Sequence, residues 1–72
     1  MGKSTGKISN RIRALRFKHG EMTQQQLADR IGVTRQTVNA IEANKYSPSL
    51  EVAFLIARAF GEHLESVFAF EE

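Results

Sequence analysis

Between Val33 and Pro48 the chain reads VTRQTVNAIEANKYSP, and its hydrogen-bonding side chains are grouped rather than scattered. On a helix opened by Thr34, the residues Arg35, Gln36 and Asn39 fall on the first turns, away from the apolar Val38 and Ile41. Arginine carries a rigid fork of donors, and the two amides each carry a donor and an acceptor. Those groups match base edges in the major groove of duplex DNA: guanine O6 and N7 for arginine, adenine N6 and N7 for glutamine or asparagine. The plainer alternative is a solvated helix face, which is the default for an isolated helix. Thr37 either brings its methyl to a thymine methyl or only completes the first turn. Thr34 at the helix start, and Lys45, Tyr46 and Ser47 in the loop that follows, are suited to the phosphate backbone.

Such a helix must be held by other elements. A helical pattern starts at Ile8, with Ile12 and Leu15 at i+4 and i+7, Ser9 or a neighbour as cap, and Gly20 as its stop. Thr23 begins a second helix, with Gln26 in the capping-box position and Leu27, Ala28 and Ile31 facing inward. Gly32, Val33 and Thr34 separate it from the helix of the opening motif, which spans Arg35 to Ala43. Two short helices across GVT form a helix-turn-helix, with Ala28 small at the crossing and Val33 and Val38 filling it. The capped helix ahead and the basic flanks favour base contact over a merely wet face. Ser49 caps a fourth helix, Leu50 to Phe60, whose expected core stripe is Leu50, Ala53, Ala57 and Phe60. Leu64 to Phe68 forms a short fifth helix or turn, and SVFAFEE alternates enough for a terminal strand.

Composition limits the alternatives. Seventy-two residues make one domain. Residues 1–7, rich in Gly, Ser, Thr and Lys, read as a flexible N-terminal arm, and 8–72 as the folded domain. GKST near the start lacks the upstream glycine of a phosphate loop. No apolar run is long enough for a membrane span, and the absence of cysteine fits a reducing cytoplasm. Residues 1–48 hold nine Lys/Arg and three Asp/Glu, whereas residues 49–72 hold one Arg and five Glu. A basic front with an acidic tail points to an anionic partner for the front. His19 and His63 are far apart in sequence and lack a carboxylate or thiol cluster, so no metal or other cofactor is expected. No nucleophile stands beside a base, and an enzyme is not expected.

From Ile8 to about Phe68 the chain resembles the Cro/C1-type repressors, also called the xenobiotic-response-element family. The segments that carry the resemblance are RIRALR, MTQQQLADRIGVTRQTVNAIEANKYSPSL and IARAFG. It looks closest to very short regulators of the cytolysin-repressor type. The resemblance implies an all-α, five-helix lambda-repressor-like DNA-binding domain with its third helix in the major groove. It also implies that Gln24 touches a phosphate and braces the reading side chains, and that Arg16 and Glu42 pair as a structural ion pair. Four positions depart from the family pattern. Glu21 lengthens the first turn, Phe17 replaces a charged residue, Asn44 stands for a common Gly, and Ala40 gives up a base contact.

The resulting expectation is a transcriptional regulator, a repressor that binds an inverted-repeat operator on double-stranded DNA as a homodimer. No small-molecule effector site is evident. Val52, Leu55 and Ala59 form a second apolar stripe, and Leu64, Val67, Phe68 and Phe70 add to it. More apolar area results than a small monomer readily buries, so Leu55, Leu64, Val67, Phe68 and Phe70 are the expected dimer interface. The alternatives are a tail that folds over its own core, or an antitoxin or adaptor whose apolar tail engages an unrelated protein.

Overall fold

Thr23, Thr34 and Ser49 each precede an apolar-periodic run, and each opens a helix. A computed structural model describes residues 7–71 as five helices and a two-stranded sheet. In chain order these are β1 (Lys7–Asn10), α1 (Ile12–Lys18), α2 (Gln24–Ile31), α3 (Arg35–Glu42), α4 (Leu50–Phe60), α5 (Leu64–Val67) and β2 (Phe68–Glu71). Thr23 Oγ1 accepts from the Gln26 amide at 3.0 Å while Gln26 Oε1 accepts from the Thr23 amide at 2.8 Å, closing the capping box. Thr34 and Ser49 accept from the amides of Thr37 and Val52, each at 3.2 Å. A cap of this kind contributes about 1 kcal/mol by satisfying an amide that the helix leaves unpaired.

The start of the chain differs from the helical pattern expected at Ile8. Lys7–Asn10 is a strand, antiparallel to β2, with Ile8 opposite Phe70 and Asn10 opposite Phe68. Ser9 is no cap: its hydroxyl donates to Glu71 Oε2 at 2.8 Å. Asn10 makes the transition into α1. Its Oδ1 accepts from the Ile12 amide at 3.1 Å, and its Nδ2 donates to the Ile41 carbonyl and to Asn44 Oδ1, both at 3.0 Å. One side chain thus ends the strand, starts the helix and ties both to the end of α3. Residues 1–6 of the expected arm lie outside the described residues, and its last member, Lys7, belongs to β1.

Between α1 and α2 the backbone turns through two successive left-handed residues, Gly20 (φ 79°) and Glu21 (φ 57°). The extra residue Glu21 is absorbed there, and Met22 still reaches the core. Ile12, Leu27, Val38, Ile41, Ile56 and Val67 are the largest side chains wholly removed from solvent. All five helices supply the core, and Val33 packs partly against it. The expected stripe of α4 needs correcting. Leu50, in the first turn, is 69% exposed, and Ile56 is fully buried in its place. Ala53, Ile56, Ala57 and Phe60 form the true inner face, a 3-4-7 spacing. Val52 and Ala59, from the expected second stripe, lie partly buried against the same core.

Candidate nucleic-acid interface

The site is built from the turn outward. Gly32 ends α2 in the left-handed conformation (φ 79°), where a side chain is costly. The amides of Gly32 and Val33 both donate to the Ala28 carbonyl, at 2.9 and 3.0 Å. Thr34 then opens α3, and burial of Val38 and Ile41 fixes its rotation. The opposite face of α3 carries Arg35, Gln36 and Asn39, all exposed.

The residues named from sequence divide by what holds them. Arg35 and Gln36 have no hydrogen-bond partner among the described residues, so their donors and acceptors face solvent. Thr37 is half-buried, and its hydroxyl lies 3.0 Å from that of Thr34, so the hydroxyl serves the helix start. Lys45, Tyr46 and Ser47 are exposed in the loop after α3, beside the left-handed Asn44 (φ 61°). That conformation suits asparagine, as its place in the loop suggests.

Asn39 is held from behind. Its Oδ1 accepts from Gln24 Nε2 at 3.3 Å, and the same nitrogen donates to Glu42 Oε1 at 3.2 Å. Glu42 is in turn clasped by Arg16. Nε donates to Oε2 at 2.6 Å and Nη2 to Oε1 at 3.1 Å, while Nη1 donates to the Met22 carbonyl at 2.7 Å. Both side chains of this pair are more than nine-tenths removed from solvent. Burying charge is tolerable because each polar atom finds a partner. The ion pair therefore joins α1, the start of α2 and the end of α3, directly behind the exposed Asn39. Phe17, out of place as an exposed apolar residue, lies with its ring 5.5 Å from the guanidinium carbons of both Arg13 and Arg16. Attraction of a cation to the ring face gives it a local role.

The residues assigned to a dimer interface separate sharply. Phe70 is 60% exposed and Leu55 37% exposed, whereas Leu64 and Phe68 pack partly against the core. Val67 is 1% exposed and belongs to the interior, so it cannot meet a partner. Ile8, unassigned from sequence, is 39% exposed and lines a groove with Leu64, Phe68 and Phe70. Sequence reasoning covers Asn10 only as a neighbour of Ser9 and does not foresee its tie to the end of α3. Its place just ahead of an apolar-periodic run was the available signal. No group of His, Cys, Asp and Glu among the described residues could hold a metal ion. None of the helices described is long and apolar enough to cross a membrane.

The model of a helix-turn-helix family matches residues 12–67. The chain is 45% identical over 65 residues to an uncharacterized HTH-type transcriptional regulator of Methanocaldococcus jannaschii, spanning 90% of this chain and 97% of that protein. It is 33% identical over 60 residues to the immunity repressor protein of Bacillus phage phi105, spanning 83% of this chain and 41% of the repressor. The crystal structure of a Bacteroides fragilis protein, provisionally described as DNA-binding, shares the fold with a TM-score of 0.74. That likeness covers 86% of this chain and 98% of the other, at 22% identity.

Proposed function

The chain belongs to the Cro/C1-type helix-turn-helix family and carries the DNA-binding domain of a transcriptional regulator, and from that premise we propose that it is a sequence-specific repressor. It binds an inverted-repeat operator as a homodimer and acts by occluding promoter DNA in the cytoplasm. The family is one of DNA-binding regulators and is not enzymatic. The observation that carries the proposal is the exposed face of α3. Arg35 and Gln36 stand on a capped first turn with no partner among the described residues, on a helix whose other face is fixed in the core. Similarity to the immunity repressor of phage phi105 supports the sign of regulation.

Within this function, Arg35, Gln36 and Asn39 read bases, with the Thr37 methyl beside them. Thr34, Lys45, Tyr46 and Ser47 hold the phosphates with their side chains, and Gln24 does so with its main-chain amide at the open start of α2. Leu55, Leu64, Phe68 and Phe70, joined by Ile8, form the interface between copies. Selection of bound fragments from random duplex DNA tests the proposal. The expected result is one enriched motif with two-fold symmetry. Enrichment of no motif overturns sequence-specific binding, and an unsymmetrical motif overturns the homodimer.

A further inference from the structure

The hydrogen bonds behind Asn39 have a direction, and that direction comes from a charge. Guanidinium is a donor only, and the ionised carboxylate it binds is an acceptor only. Glu42 accepts from Arg16 at both oxygens, Oε2 and Oε1, and what Oε1 still offers to a second neighbour is a lone pair. Whatever Gln24 presents to Glu42 Oε1, 3.2 Å away, must be a donor, so its amide nitrogen faces inward. An amide nitrogen has two hydrogens. The second goes to Asn39, 3.3 Å away, which must offer its oxygen to receive it. With Oδ1 turned to Gln24, the nitrogen of Asn39 is left for the solvent side.

We infer that Glu42 is a positioning residue for base recognition: through Gln24 it fixes the amide of Asn39 with its Nδ2–H2 donors presented to DNA. The inference rests on the proposal that Asn39 reads a base. It goes beyond that proposal by assigning the polarity of the contact. Asn39 then leads with donors, and its match in the major groove is an acceptor on a base edge, such as purine N7 or guanine O6. It also gives the buried pair a role that stability alone does not require. An apolar pair of similar volume could hold α1 to α3, but it could not orient an amide.

Binding selections from randomised duplexes test this with five proteins in parallel. Asn39→Ala identifies the base pair that Asn39 reads. Glu42→Gln keeps the shape and a bond to Arg16, yet its amide can face Gln24 with either oxygen or nitrogen. It should lose most of the preference at that base pair, roughly 5- to 100-fold by the usual worth of a good base contact, and keep the preference set by Arg35. Asn39→Asp keeps an oxygen for Gln24 and turns an acceptor outward, so the preference at the same position should move toward cytosine, whose N4 is a donor. Gln24→Met leaves Arg16 and Glu42 paired and severs the relay. It carries the test should Glu42→Gln unfold, which circular dichroism of each variant reveals. Lower affinity for all sequences alike in Glu42→Gln or Gln24→Met, with the Asn39 base pair still selected, overturns the inference and leaves DNA reading intact. A wild-type protein that enriches no motif overturns both.

Discussion

Arg35 and Lys45 differ in what their removal takes away. Arg35 and Gln36 project from a fixed helix turn into solvent, and as the proposed base readers their replacements Arg35→Ala and Gln36→Ala should each cost about 1–3 kcal/mol at the preferred site and relax one or two base pairs. Lys45 sits in the following loop, and its proposed partners are phosphates, which carry no sequence information. Lys45→Ala should weaken specific and random duplexes alike, as parallel titrations of both DNAs will show. Equal losses on both DNAs for all three variants would contradict these roles. Arg16 acts on the fold instead. Its removal leaves Glu42 a nearly buried carboxylate without its counter-charge, and such breakage costs on the order of 3–5 kcal/mol. Arg16→Met should lower urea-unfolding stability by about that much, and adding Glu42→Leu should restore most of the loss. An unchanged midpoint in Arg16→Met would mean that the pair contributes nothing to holding the helices.

Elements were legible in the sequence where their causes are local. The starts of α2, α3 and α4 could be read from Thr23, Thr34 and Ser49, because a cap bonds an amide only two or three residues away. The strand β1 could not. Ile8 pairs with Phe70, far along the chain, while its spacing to Ile12 and Leu15 mimics a helix. The inner face of α4 was ambiguous for another reason. In LEVAFLIARAF only Glu51 and Arg58 are charged, so periodicity alone does not choose between Leu50 and Ile56. The exposure of Arg35 and Gln36 followed from Val38 and Ile41, whereas the hold of Gln24 on Asn39, from an element away, was implied by the family resemblance and not by local pattern. The two turns make opposite predictions from one cause. A Cβ added at Gly32 meets nothing within 4 Å, so Gly32→Ala should cost only the left-handed backbone penalty, about 1–2 kcal/mol. Glu21 already bears that penalty at φ 57°, so Glu21→Gly should recover it, less roughly 0.5–1 kcal/mol of added chain entropy. Urea unfolding of both variants checks the signs, and a stabilising Gly32→Ala would refute the conformational account.

The whole molecule adds charge and assembly. The basic front should make DNA binding fall by about 0.9 in log–log slope for each phosphate neutralised, which a salt series measures, and a flat response would remove the electrostatic contribution. The acidic C-terminal part is the poorer surface for phosphate, and it also carries the exposed Leu50, Phe54, Leu55 and Phe70. A single reading helix spans few base pairs, and two gain selectivity if their spacing is about 34–36 Å, one turn of the duplex. The two-stranded sheet offers a place for that pairing. Ile8 and Phe70 face each other across β1 and β2, and both remain substantially exposed. They differ in this from Val67, one residue before β2, which the protomer's own core encloses. Ile8→Ser with Phe70→Ser should therefore leave helical content and cooperative unfolding intact while lowering dimer content and operator affinity together. Val67→Ser should instead unfold the domain, because it removes apolar atoms from a packed interior. Sedimentation equilibrium at micromolar concentration distinguishes the cases. A wild-type monomer would overturn the homodimer, whereas a dimer that survives the Ile8 and Phe70 substitutions would move the interface to the exposed Leu50 and Phe54 of α4.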